Sequence, residues 1–202
     1  MELKKIAYSL DADLSKDVYL RENASEDNIK KLNLANKEII AFATHALRPG
    51  DLDGLNQSAL AFSSPQITGG DEDGVLTVGE ILTLRLNADL IVLSACDSGA
   101  ADSSGSEAIS GLGKAFFYAG ARALLVTMWP VETHSAGLLS SRIFNSKKNG
   151  NLSLAKAQQE ALLKMIHSDG IKGKQGNMIA SYAHPFFWAP YLVVADVGSS
   201  AK

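Results

Sequence analysis

The stretch that most constrains the fold is Asp89-Leu-Ile-Val-Leu-Ser-Ala-Cys-Asp-Ser-Gly99. A continuous apolar run of four, Leu90–Leu93, between polar residues predicts a strand covered on both faces, as in a parallel sheet. A second such run, Glu38-Ile-Ile-Ala-Phe-Ala-Thr44, predicts a second buried strand. In open α/β sheets functional groups gather beyond the carboxyl ends of the strands. The first run delivers Cys96 to that position and the second delivers His45. The cysteine has two readings. One is a small buried hydrophobe; the other is a nucleophile served by the histidine.

Around these two strands the chain reads as α/β. Leu3, Ile6, Ala7 and Leu10 have helical spacing, so Glu2–Leu10 is expected to be a first helix. Asp17–Leu20 is a brief strand candidate, and Ser25 before Glu26, Asp27 and Asn28 is a helix start, with Ile29, Leu32 and Leu34 as its apolar side. Arg48–Asn56 is a loop, Ser58–Phe62 a short excursion, and Gly69–Gly74 a turn. Thr77 with Glu80 makes a capping box for a helix to about Leu84. A Ser/Gly loop over 98–106 follows the Cys96 strand. Glu107–Ala119 is a helix closed by Gly120, and Arg122–Met128 an apolar strand broken by Trp129-Pro130. Two helices, Thr133–Phe144 and Leu152–His167, are expected on either side of Asn149-Gly150. An irregular loop over 168–177 and a last strand, Phe186–Ala195, complete the chain. Strands alternating with helices predict a mainly parallel, doubly wound sheet. At 202 residues, with no internal repeat or long linker, the chain is expected to be one domain.

Composition excludes several functions. The net charge of −3, with no Lys/Arg cluster larger than a pair, gives no electrostatic case for nucleic acid. No apolar run approaches a membrane span and the start lacks a secretory core. One cysteine cannot form an internal disulfide, which favours a reducing, cytoplasmic setting.

The chemistry rests on His45 and Cys96, which lie 51 residues apart. If their strands are parallel neighbours, both groups emerge at one edge. An imidazole beside a thiol can hold the proton the thiol loses, giving a thiolate that attacks a carbonyl. The imidazolium then protonates the leaving amine. The N–H groups of Ala46 and Cys96 are the natural donors to the tetrahedral oxyanion. The other histidines compete less well. His134 stands at a helix start, to line the pocket or cap the helix. His167 ends a helix, where a cation suits the dipole, and His184 precedes Pro185 as a packed turn residue. No ligand spacing for a metal is present, and Asp71-Glu-Asp73 is a solvated turn without the distal acid of a calcium loop.

These residues resemble a known family. Ala-Thr-His45, Leu-Ser-Ala-Cys96-Asp-Ser-Gly, the segment from Glu107 to Ala121, Met128-Trp-Pro-Val131, Ala155-Lys-Ala-Gln158 and His184-Pro-Phe-Phe-Trp188, in that order, are similar to the CHAT domains, bacterial relatives of caspases and separase. The resemblance implies a caspase-like three-layer α/β/α sandwich with a mainly parallel sheet, a His45–Cys96 dyad, and peptide-bond hydrolysis of a protein substrate without a cofactor or metal. Two departures stand out. Ala46 replaces the family's usual glycine, which disfavours a positive φ there. Thr133 stands where the family often has an acid, so Glu132, one place earlier, becomes the candidate receiver of a basic substrate side chain, with Asp97 as the second. Glu132 has an equal claim to a plain role as a helix N-terminal acid. The chain begins at what resembles the family's first helix. It is therefore expected to be the C-terminal part of a larger protein carrying tetratricopeptide repeats or another sensor upstream, and to act after activation by that domain or a partner. The alternatives are a catalytically idle, caspase-like interaction or scaffold module, and acyl transfer on a small thioester or amide by the same dyad.

Overall fold

The computed structural model describes residues 2–94, 104–129, 132–150, 152–173 and 175–195. Along the chain its elements are α1 (Glu2–Ser9), α2 (Glu26–Lys31), β1 (Ile39–Phe42), β2 (Ala46–Leu47), β3 (Ala59–Ala61), α3 (Pro65–Thr68), β4 (Val75–Thr77), α4 (Val78–Ile81), β5 (Leu90–Leu93), α5 (Ser104–Tyr118), β6 (Ala123–Thr127), α6 (Thr133–Gly150), α7 (Leu154–Ile166), β7 (Ile171–Lys172), β8 (Met178–Ala180) and β9 (Tyr191–Ala195). They form two compact units, Tyr19–Pro130 with Leu192–Lys202, and Met1–Val18 with Val131–Tyr191.

The first unit holds the main sheet, in the order β1-β5-β6-β9. β1 runs parallel to β5, and β5 parallel to β6. The expected α/β class with a mainly parallel sheet is therefore present. The apolar runs explain it: every residue of β5 and β6 is buried, which only a sheet interior allows. Ile40, Phe42, Ile91, Leu93, Leu124 and Val126 pack with Leu112, Ala115 and Phe116 of α5 into one core. The Phe42 and Phe116 rings lie 5.4 Å apart. Each large side chain buried there contributes roughly 1.5–3 kcal/mol. Gly120 closes α5 at φ +114°, and a Cβ there would lie 2.2 Å from the Leu86 carbonyl oxygen. No other residue fits that close approach.

A second, antiparallel sheet, β2-β3-β4, stands beyond β1. The sequence showed only an excursion at Ser58–Phe62, because strands of two or three residues carry no readable periodicity. The capping box of Thr77 and Glu80 is formed as expected, and Ser25 caps α2 by accepting from Asn28 N.

One polar cluster in this unit was not anticipated. Lys30 Nζ lies 2.7 Å from a carboxylate oxygen of each of Glu26, Glu72 and Glu80. Glu26 is buried, and its second oxygen accepts from Gly74 N and Val75 N at 2.9 and 3.1 Å. The ammonium ties α2 to the 69–75 turn and to α4. Burial raises the Glu26 carboxyl above its ordinary value, more than Lys30 lowers it. Burial also pushes Glu80 up, but hydrogen bonds from Lys30 and Thr77 outweigh it and hold that carboxyl down to about 2.

In the helical unit α1 packs on α6 and α6 on α7. Ile6, Leu139, Ile143, Phe144, Ala161 and Met165 are buried there, and Ser140 Oγ donates to Glu2 Oε1 at 3.1 Å. Four expectations are corrected. Asp17–Leu20 is not a strand: Asp17 N donates to Asp13 O at 2.8 Å in a turn, and the residues after it up to Leu20 have no regular structure. Helix α6 runs on to Gly150, six residues past the expected end at Phe144, and its last turn carries Lys147 and Lys148, where cations suit the helix dipole. The stretch 168–177 is not wholly irregular, since β7 pairs with β8 in a hairpin closed by Gly173 N to Asn177 O at 2.8 Å. The last strand also starts later than expected: Pro185–Phe187 is a 3-10 turn, and β9 begins at Tyr191.

Candidate active site

The β1/β5 pairing sets the geometry. Ile39 stands opposite Leu90 and Phe42 opposite Leu93, a constant step of 51 positions. Ser94 N donates to Phe42 O at 2.9 Å and carries the ladder one step further. The step of 51 also separates His45 from Cys96, so each is the third residue past the last paired rung of its own strand. Cys96 and Asp97 themselves lie outside the described residues.

His45 is exposed at this edge. Its backbone is anchored: Ala61 N donates to His45 O at 2.9 Å, and the Thr44 hydroxyl donates to Ala61 O. Ala46 follows as the first residue of β2, opposite Leu60. The His45 O to Ala61 N bond makes Ala46 and Leu60 a non-hydrogen-bonded pair, in which the Ala46 N–H points away from β3. The alanine costs nothing here. Asp11 and Arg21 are the only non-glycine residues with positive φ among those described, and Ala46 has ordinary strand backbone.

Glu132 belongs to the helical unit. Its two carboxylate oxygens accept from His134 N at 2.7 Å and Ser135 N at 2.8 Å, at the start of α6. Burial pushes its carboxyl up, but these two bonds outweigh it and hold it below its ordinary value. This is the capping role of an acid at a helix N-terminus. Glu132→Ala is expected to cost about 1 kcal/mol of stability, read as a lowered melting temperature. An unchanged melting temperature would show that the carboxylate does not hold the helix.

The remaining histidines have local roles. His134 Nδ1 lies 3.5 Å from Lys5 Nζ, His167 is the C-cap of α7, and the exposed His184 accepts from Phe186 N through Nδ1 at 3.2 Å. His184 thus caps a turn rather than packing in the interior. In the 71–73 turn, Glu72 is taken by Lys30 and Asp73 accepts from Val75 N at 2.8 Å. Glu26, Glu72 and Glu80 form the one group of acids with metal-ligand spacing among the described residues, and the Lys30 ammonium lies among them. The Glu26/Lys30 spacing of four on one helix was the available signal for this cluster.

The model of the CHAT domain matches residues 1–196. The chain belongs to the CHAT-domain family. That family is related to the caspase-like cysteine peptidases, in keeping with the parallel sheet and its helices. Among curated proteins, this CHAT chain is similar to tetratricopeptide repeat protein 28 of Mus musculus, 29% identical over 130 residues, and to that of Homo sapiens, 27% identical over 128. The matches cover 63% of this chain in both cases, and only 5% and 4% of the relatives. Among the described residues, no helix of this CHAT chain is long and apolar enough to cross a membrane.

Proposed function

We propose that this chain is a cysteine endopeptidase domain that hydrolyses peptide bonds of a protein substrate with His45 and Cys96. One observation carries the reading: the β1/β5 register advances by 51 positions and so does the spacing of the dyad. Cys96 acts as nucleophile after His45 takes its proton. The thiolate adds to the scissile carbonyl, and the N–H groups of Ala46 and Cys96 stabilise the oxyanion. The imidazolium protonates the departing amine, and water then releases the acyl group from sulfur. The orientation of the Ala46 N–H, away from β3, supports its part in this scheme. No cofactor enters these steps.

Purified chain incubated with a peptide library and with iodoacetamide at neutral pH tests the proposal. Cleavage of a subset of peptides is expected, with Cys96 alkylated far faster than an ordinary thiol and hydrolysis lost in step with alkylation. An inert thiol and no cleavage would instead favour an interaction or scaffold module. The repeat-protein relatives, of which this chain matches about a twentieth, support that second reading and a further element of the first. In the peptidase reading the domain works within a larger protein, its activity released by tetratricopeptide repeats, another sensor or a partner. Turnover is then expected to be higher for the full protein with its activator than for the chain alone.

A further inference from the structure

The third strand of the sheet brings another group to the same edge. Ile91 stands opposite Leu124 and Leu93 opposite Val126, a constant step of 33 positions between β5 and β6. The Thr127 hydroxyl reaches back to Leu93 O at 3.4 Å. The same step of 33 separates Cys96 from Trp129. His45, Cys96 and Trp129 are thus each the third residue past one continuous rung, Phe42–Leu93–Val126.

Burial changes abruptly along this segment. Ala123 to Thr127 are 8% exposed or less, whereas Met128 and Trp129 are each 39% exposed. Two consecutive large apolar side chains therefore come to the surface where the chain leaves the sheet, on the edge that carries the reactive histidine. An exposed tryptophan is informative at such a place, because a flat indole face takes apolar groups or a peptide plane at low entropic cost. The acid considered for a basic side chain, Glu132, is engaged with the start of α6.

We infer that Trp129, with Met128 beside it, is a specificity-determining wall that receives a large apolar side chain of the peptide next to the scissile bond. The inference rests on the peptidase reading, and its test is made without hydrolysis so that the two can fail separately. Cys96→Ala chain is titrated with peptides differing only in Leu, Met, Ala, Asp or Arg at the positions flanking one bond, and binding is read by calorimetry. Leu and Met peptides are expected to bind best. Trp129→Ala in the same background is expected to weaken them about tenfold or more while leaving the Ala peptide nearly unchanged, and Trp129→Phe to restore most of the loss. Melting temperatures verify that each variant is folded. Equal affinities with and without the indole, or tighter binding of the Arg or Asp peptide, would overturn the inference. Loss of hydrolysis in the Cys96-intact chain concerns the dyad alone.

Discussion

Cys96→Ala is expected to abolish peptide hydrolysis, and His45→Ala to slow it about 10²–10⁴-fold, the usual worth of a general acid/base. Without sulfur no acyl intermediate forms, so the first loss is complete. Without the imidazole a thiol can still ionise in solution, so a residue of activity survives and rises with pH as the thiolate fraction grows. His45→Ala leaves the fold intact, because the side chain is exposed and its structural bond, His45 O to Ala61 N, belongs to the backbone. Its stability is expected to change by less than about 0.5 kcal/mol, as for ordinary surface substitutions. The measurement is kcat/KM on one cleaved peptide, alongside a thermal melt. Near-full hydrolysis by either variant would remove its residue from the mechanism.

Lys30→Met is expected to produce the largest stability loss, on the order of 3 kcal/mol. Methionine keeps the length of the side chain but removes the ammonium that Glu26, Glu72 and Glu80 share. Three carboxylates then face one another within 4.8 Å, one of them almost wholly buried. For a chain of this size the melting temperature would fall by roughly 6–12 °C. The effect depends on pH with a defined sign. Glu80 is held at about 2 in the folded chain against an ordinary 4.5. Its contribution is therefore present above pH 4.5 and lost as the pH falls towards 2. Glu26, raised by burial, runs the other way and gains as the pH falls. Without Lys30, which favours the charged form of both, Glu26 and Glu80 take up protons more readily, and this relieves their repulsion. The gap between wild type and Lys30→Met is thus expected to narrow from pH 7 to pH 4. A constant gap, or no loss at pH 7, would show that the cluster is not a source of stability.

The legible parts of this protein share a physical basis. Leu90–Leu93 is apolar on both sides of the pleat and buried throughout, as an interior strand of a parallel sheet requires. The equally apolar Ile39–Phe42 lies at the edge of that sheet, with Ile40 and Phe42 buried. His45 and Cys96 could be placed at strand ends for the same reason. The caps at Ser25 and Thr77 were equally visible, because a hydroxyl three residues before the amide it serves acts within one turn of chain. The separation of α6 from α7 after Gly150 was legible, though the end of α6 was placed six residues early at Phe144. The hairpin of β7 and β8 was missed, because strands of two or three largely exposed residues carry no readable alternation.

By itself the sequence determined the apolar strands β1, β5 and β6, and that His45 and Cys96 follow the first two of them, since these follow from local hydrophobicity and covalent order. Which strands are neighbours, and in what register, belonged to the tertiary structure. A step of 51 between β1 and β5 and of 33 between β5 and β6 arises from side chains packing across the sheet and onto α5, not from any local signal. The fold alone turned Ala46 N–H away from β3 and gathered three glutamates on Lys30, whereas the capping role of Glu132 was one of the two readings its place before α6 already offered. Each of these joins groups through hydrogen-bond geometry, and for most of them the partners lie far apart in the chain, where periodicity and propensity carry no information.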